Sequence, residues 1–350
     1  MHITEGIIIG KSAVMYTGIG VALVGLGALR MKKFVTDFPE IKPLLGMGGA
    51  LIFFISLIPL PAFTGTCSHP CGTPLMAIIL GPSISVALAG VSLLLQAAFF
   101  AHGGFGTWGA NVLALGFFGS FFGWGVFRVA RKMGLPLWAA GFAGGLVGDL
   151  MVYAASGMIL ATTLANAPYP QYSLTRYMTV IYAAYLPTQL PIAIGEMVVT
   201  GLALQYAFKQ RPEVLEELGI IDGKTISKKR FPITMIFITV LNLSLFFNTQ
   251  VCLAGQNAQS PTPSVSTPVS AISSKEGGMS GMDEVVNENL AKAAGLPARD
   301  PYINTEAMGD LWNMLLLLAG GICGFIFGRW WHLFWGRPKG DSLRGESRTK

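Results

Sequence analysis

The feature that most constrains this chain is its succession of apolar runs long enough to cross a bilayer, beginning with Gly6 to Leu29. Inside a membrane every backbone N–H and C=O must be satisfied by the protein itself, and runs of this length do so as helices. With 52% hydrophobic and 12% charged residues and a mean hydropathy of +0.56, the chain has too little polar surface to cover a soluble globule. The expected fold class is an all-α polytopic membrane protein. No basic residue precedes the first run, and the run is longer than a signal-peptide core, so it is expected to stay as a helix. The net charge of +6 comes from lysines and arginines grouped between apolar runs, where they orient the chain rather than bind nucleic acid. Of the four cysteines only Cys67 and Cys71 lie near each other, too few for a disulfide scaffold.

The basic residues set the topology. Arg30, Lys32 and Lys33 end the first run on the cytoplasmic side and leave the N-terminus outside. A second helix, Leu45 to Pro61, returns outward and delivers the uncharged segment Thr64 to Pro74, which carries His69. If Leu75 to Phe100 were one crossing, Arg128, Arg131 and Lys132 would fall outside, against the positive-inside rule. A turn at Gly81-Pro82 resolves this, giving a short descending segment, Leu75 to Leu80, and a rising helix, Ser83 to Phe100. Breaks of this kind tend to mark binding sites. Further helices are expected at Ala110 to Phe127, Leu137 to Leu160 and Pro191 to Phe208, with Tyr177 to Tyr185 as an interfacial aromatic belt before Pro187. The expectation is a seven-segment helical bundle with an external N-terminus (1–211), a cytoplasmic linker (212–230), a two-helix unit (231–336) and a cytoplasmic tail (337–350). The two-helix unit includes an exterior loop (254–309) whose first part, Gln256 to Ser274, is Ser/Pro/Thr-rich and disorder-prone.

This topology gathers His2, His69 and His102 on the outer face. If the initiator Met is kept, the Met1 amine, the His2 amide nitrogen and His2 Nδ1 close a five- and a six-membered chelate ring in one plane, a nitrogen set suited to Ni²⁺ or Cu²⁺. His69 can supply a fourth nitrogen, its backbone fixed by Pro70 and Pro74; the plainer alternative is a loop histidine bonded to a carbonyl. His102 is expected to orient a ligand or close the site, or else to serve the glycine loop around it. Asn111 can bond a ligating imidazole or cap the helix it begins, with the cap preferred. Cys67 and Cys71 flank His69 without the second Cys/His pair that a structural zinc site needs, leaving a disulfide or two thiols. Asp149 and Glu196 lie inside apolar runs, where a charge costs about 2.5 to 3.5 kcal/mol, so both should be paired or face a cavity. Small residues spaced four apart, such as Gly18 with Ala22, Gly46 with Ala50, Gly141 with Gly145 and Gly144 with Gly148, allow close helix approach.

Met1-His-Ile-Thr-Glu-Gly6, the histidine loop ending Gly72-Thr-Pro-Leu75, Leu80-Gly-Pro82, Leu94-Leu-Gln96 and the run from His102 to Asn111 together resemble the CbiM/NikM family, the substrate-capture subunits of energy-coupling-factor transporters for cobalt and nickel. The resemblance covers about residues 1 to 210. Asp283 to Leu290, Pro297 to Tyr302 and Gly309 to Trp312 resemble the small two-helix partner NikN, so the whole is similar to a NikMN fusion. The resemblance implies that metal is held by the Met1 amine, the His2 amide and imidazole nitrogens and an imidazole that falls here on His69. It also implies a transmembrane coupling subunit (NikQ/CbiQ-like) and two cytoplasmic ATPases (NikO/CbiO-like). Cys67-x-His-Pro-Cys71 is richer in cysteine than the family loop, which leaves a thiolate contribution open.

No Gly-x-x-x-x-Gly-Lys-Ser/Thr phosphate cradle is present, so ATP hydrolysis must come from other subunits. No nucleophile lies beside a base in the sequence, which argues against an enzyme. The leading expectation is a Ni²⁺ importer subunit in a prokaryotic cell membrane, with Co²⁺ as the alternative cargo and a membrane metal sensor as the alternative class.

Overall fold

The computed structural model describes residues 2–57, 60–61, 67–100, 102–221 and 282–300, with positions 314 and 318. Helices α1 (Gly10–Asp37), α2 (Lys42–Ile55), α3 (Thr73–Leu80), α4 (Pro82–Phe99), α5 (Trp108–Lys132), α6 (Leu137–Ala165) and α7 (Leu174–Gln210) account for most of the described chain. Two shorter helices follow, α8 (Pro212–Glu217) and α9 (Met282–Ala293). The one extended element among the described residues is a two-residue antiparallel pairing of β1 (Leu60–Pro61) with β2 (Cys67–Ser68). Five helices (α1, α4, α5, α6 and α7) are long and apolar enough to span a membrane, and α2 is a shorter apolar piece. The protein is thus a multi-pass helical membrane protein. The chain forms two compact units, one of 1–220 with 279–350 and one of 221–278; almost all described residues belong to the first. The expected linker is described only over 212–221, where it begins with α8, and the Ser/Pro/Thr-rich segment and both helices of the expected two-helix unit lie largely outside the described residues.

The expected break between α3 and α4 is present. Gly81 adopts φ +89°, a conformation that favours glycine, and Pro82 opens α4, where its missing N–H costs nothing. The short α3 is packed in protein on all sides but that of Ile79, as a non-spanning segment in a bilayer must largely be. Thr73 and Pro74 at its start fit against Gly119 and Gly123 of α5 and Gly148 of α6, positions where any side chain would collide with them. Of the small-residue pairs, Gly141, Gly144, Gly145 and Gly148 are all closed by neighbouring elements, while Gly18 and Gly46 face open space.

Several helix limits differ from expectation: the second helix runs Lys42–Ile55 rather than Leu45 to Pro61, and Pro61 lies in β1. The first helix begins at Gly10 rather than Gly6, because residues 2–9 form an irregular hook, and it continues past Arg30, Lys32 and Lys33 to Asp37. The expected aromatic belt and the following helix are one 37-residue helix, α7, with Pro187 and Pro191 inside it. At 1.5 Å per residue it is about 55 Å long, well beyond the ~30 Å hydrocarbon core. Prolines are tolerated in membrane helices where neighbouring groups re-satisfy the freed carbonyls, and α7 packs along α6 over this region. Tyr177 and Tyr185 are accordingly buried rather than interfacial.

Candidate metal centre

The hook is anchored by its aliphatic side chains and by its backbone. Ile3, Ile7 and Ile8 are buried, each at 2% exposure or less. Ile3 N donates to Asn111 Oδ1 at 2.9 Å, and Ile3 O accepts from Thr107 Oγ1 at 2.8 Å and Asn111 Nδ2 at 3.3 Å. Thr107 and Asn111, four residues apart at the start of α5, share one helical face. Asn111 therefore does not cap the helix: Thr107 occupies the N-cap, and the Asn111 amide is a two-way clamp on the residue after His2. A π-helical stretch, Val112–Phe118, follows at once, an irregularity that often accompanies functional sites.

Glu5 is the second anchor. Its buried carboxylate accepts from Gly106 N at 2.8 Å and from Arg299 Nη2 at 3.1 Å, while its carbonyl accepts from Arg299 N at 2.8 Å. A Cβ at Gly104 would collide with the Glu5 side chain and Cα, so the glycine loop has to be bare there for the hook to seat. Arg299 comes from the stretch that follows α9, and Asn287 of α9 accepts from Tyr185 Oη at 2.7 Å.

Held in this way, His2 lies beside His69 and His102. Ring centroids are 5.0 Å apart for His2 and His69, 4.4 Å for His2 and His102, and 4.9 Å for His69 and His102. One ring nitrogen from each comes within 4.8 Å of the others, and this is the one such group of potential metal ligands among the described residues. Both ring nitrogens of His2 and Nδ1 of His69 are buried without a hydrogen-bond partner, an expensive arrangement for a site not meant to receive something. His69 Nε2 and His102 Nε2 meet at 3.1 Å, so one ring donates and the other accepts. The structure thus brings together three of the residues expected at the site, with Asn111 behind them. Met1 and the Cys67 side chain lie outside the described residues. Cys71 donates through its thiol to Asp149 Oδ1 at 2.8 Å; burial first, then Asp149 and Glu196, pushes this thiol well above its ordinary range and keeps its proton.

The loop carrying His69 leans on α6 and α7. Tyr153 Oη donates to His69 O at 3.0 Å and contacts Ser68 Oγ at 3.0 Å; Gln189 Nε2 donates to Ser68 Oγ at 2.7 Å. Glu196 accepts from Cys71 N and Gly72 N, each at 3.0 Å. Both carboxylates within apolar runs are thus hydrogen-bonded to this loop, Glu196 through both oxygens and Asp149 through Oδ1, while Asp149 Oδ2 is buried without a partner. Glu5, Arg299, Tyr153 and Gln189 were given no role by sequence reasoning. For Glu5 and Arg299 the available signal was their place within the motifs Met1 to Gly6 and Pro297 to Tyr302.

Burial holds the His2 and His69 imidazoles well below the usual histidine range, and so neutral and ready to ligate at neutral pH. An undocked ring titrates near 6.5, so below that pH the undocked hook binds more protons than the docked one. Docking is then at full strength above about pH 6.5 and weakens as pH falls, by about 1.4 kcal/mol per unit for the His2 ring. Hydrogen exchange of residues 2–8 in the metal-free protein, corrected for intrinsic rate, is expected to lose protection between pH 7 and pH 5. Constant protection over that range would contradict a neutral, buried His2.

Residues 2–214 match the family described as CbiM, cobalt uptake substrate-specific transmembrane region. Cobalt transport protein CbiM of Geobacter sulfurreducens is 36% identical over 336 residues, covering 95% of this chain and 89% of that protein. Cobalt transport protein CbiM of Sorangium cellulosum is 36% identical over 222 residues, covering 63% and 97%. Among solved structures, a truncated transition metal transporter matches with a TM-score of 0.51 at 28% identity, covering 60% of this chain and 99% of that one. A second transition metal transporter matches with a TM-score of 0.51 at 27% identity, covering 60% and 93%.

Proposed function

Because the chain belongs to the CbiM family, we propose that it is the substrate-capture subunit of an energy-coupling-factor importer and that its cargo is Ni²⁺. The observation that carries this reading is the cluster of buried His2 and His69 with half-buried His102, in which both ring nitrogens of His2 and Nδ1 of His69 have no hydrogen-bond partner, formed because an N-terminal hook is drawn into the helical bundle. In the proposed complex the Met1 amine, the His2 amide and imidazole nitrogens and the His69 imidazole surround the ion in a plane. Asn111 and Glu5 fix the hook that carries the first three donors, and His102 orients His69 and closes the site. The hook and the histidine loop face the exterior, and the C-terminus is cytoplasmic. Release inward is driven by partners, a transmembrane coupling subunit and two ATPases. Similarity to the Geobacter protein extends well past residue 214, which supports reading 231–336 as a fused NikN-like unit.

Co²⁺ is the second reading, favoured by the cobalt-transport names of the relatives. Four planar nitrogens favour Ni²⁺, since Co²⁺ gains less from square geometry. Competition between the two ions on the purified full chain decides: the account predicts tighter Ni²⁺ binding and the diamagnetic spectrum of square-planar nickel. Tighter Co²⁺ binding would reassign the cargo. Failure of the chain to co-purify with any ATPase when co-expressed with candidate coupling and ATPase subunits would remove the importer reading.

A further inference from the structure

Glu196 sits mid-span on α7, nowhere near the histidines in sequence, yet it is tied to the loop that carries one of them. Its carboxylate is 4% exposed, and its two oxygens are each used once, on the consecutive N–H groups of Cys71 and Gly72. The two bonds fix the carboxyl plane against the peptide plane of the loop. Further hydrogen bonds to the loop come from the same helix and from its neighbour α6. Asp149 and Tyr153 are four apart on α6, and Gln189 and Glu196 are seven apart on α7, so each pair lies along one helical face. Between them they hold Ser68 Oγ, His69 O, Cys71 Sγ, Cys71 N and Gly72 N. The segment before the loop offers a two-residue β pairing as its sole regular structure among the described residues. His69 therefore owes its place to α6 and α7.

We infer that Glu196 is the positioning residue for His69, holding the 68–72 loop so that the imidazole meets the N-terminal hook. This rests on the proposed reading of the metal centre. It assigns Glu196 no contact with the ion: the carboxylate acts through two backbone amides, and its removal loosens one ligand of the set. Glu196→Gln keeps the shape but puts an amide NH₂ against one of the two N–H groups, so one bond is lost and its donor is left buried.

The test is a cycle of four full-length proteins, the parent, Glu196→Gln, His69→Ala and the double variant, with Ni²⁺ affinity and the visible spectrum read for each. Melting temperature in detergent reports folding. In the parent background Glu196→Gln is expected to lower affinity by about 10- to 100-fold, the range seen when a ligand loses its supporting contact. Its nickel spectrum should move toward that of His69→Ala. In the His69→Ala background the same change should alter affinity by less than about twofold, since its target is already gone. Equal losses in both backgrounds, or no loss in the parent, would overturn the positioning role while leaving the metal centre intact. A His69→Ala protein that binds Ni²⁺ like the parent would instead remove His69 from the site, and the positioning role with it. If Glu196→Gln does not fold, Glu196→Asp, which retains the carboxyl group but shortens the reach, is put through the same cycle with the same criteria.

Discussion

His69→Ala is expected to lower Ni²⁺ affinity by more than about 100-fold. The ring is 5% exposed, and its Nδ1 has no partner while its Nε2 meets His102, so little else depends on the imidazole. The loop is held through the backbone and side chains of residues 68, 71 and 72 and through the His69 carbonyl, all of which survive truncation to alanine. Folding should be nearly unchanged, and the loss should appear in metal binding alone. Since removing a supporting contact costs 10- to 100-fold, removing the ligand itself should exceed that range. His102→Ala is the internal comparison, with a loss of about 10- to 100-fold because its ring orients His69 without lying in the metal plane. Isothermal titration of the two variants checks the order. A larger loss for His102→Ala would exchange their roles.

Hydropathy and the positive-inside rule were enough to find the membrane helices, and even the turn at Gly81-Pro82, because a bilayer penalises unsatisfied backbone and misplaced charge so heavily. They also gathered His2, His69 and His102 on one face, since topology alone decides on which side each loop lies. The start of α1 was hidden because Ile7, Ile8 and Ile9 read as helix by hydropathy, whereas tertiary bonds from Asn111, Thr107 and Gly106 draw the preceding residues into a hook. The continuity of α7 through Pro187 and Pro191 was hidden for a related reason: packing along α6 overrides the local signal of a proline. The roles of Glu5 and Glu196 depend on partners far away in the chain, Gly106 and Arg299 for one and Cys71 and Gly72 for the other. Periodicity carries no information about such pairs. What composition could say was that a carboxylate inside a membrane run must have a partner, and each of Asp149 and Glu196 has one.

With the hook itself as a ligand, the most demanding consequence concerns the Met1 amine. Adding two residues before Met1 leaves every histidine in the chain and every partner of Ile3 and Glu5 unchanged, but it turns the amine into a peptide nitrogen displaced from the His2 chelate. The extended residues would also have to fit in a pocket where His2 is only 2% exposed. Ni²⁺ binding is expected to fall below detection, more than about 100-fold weaker than in the native protein, and the square-planar nickel spectrum should vanish. The measurement is nickel content and affinity of the full chain with its native N-terminus beside the extended form, with Met1 retention verified by mass spectrometry. Binding is expected to collapse in the extended form. Equal affinity in both forms would contradict this and leave His2, His69 and His102 to hold the ion by their imidazoles alone.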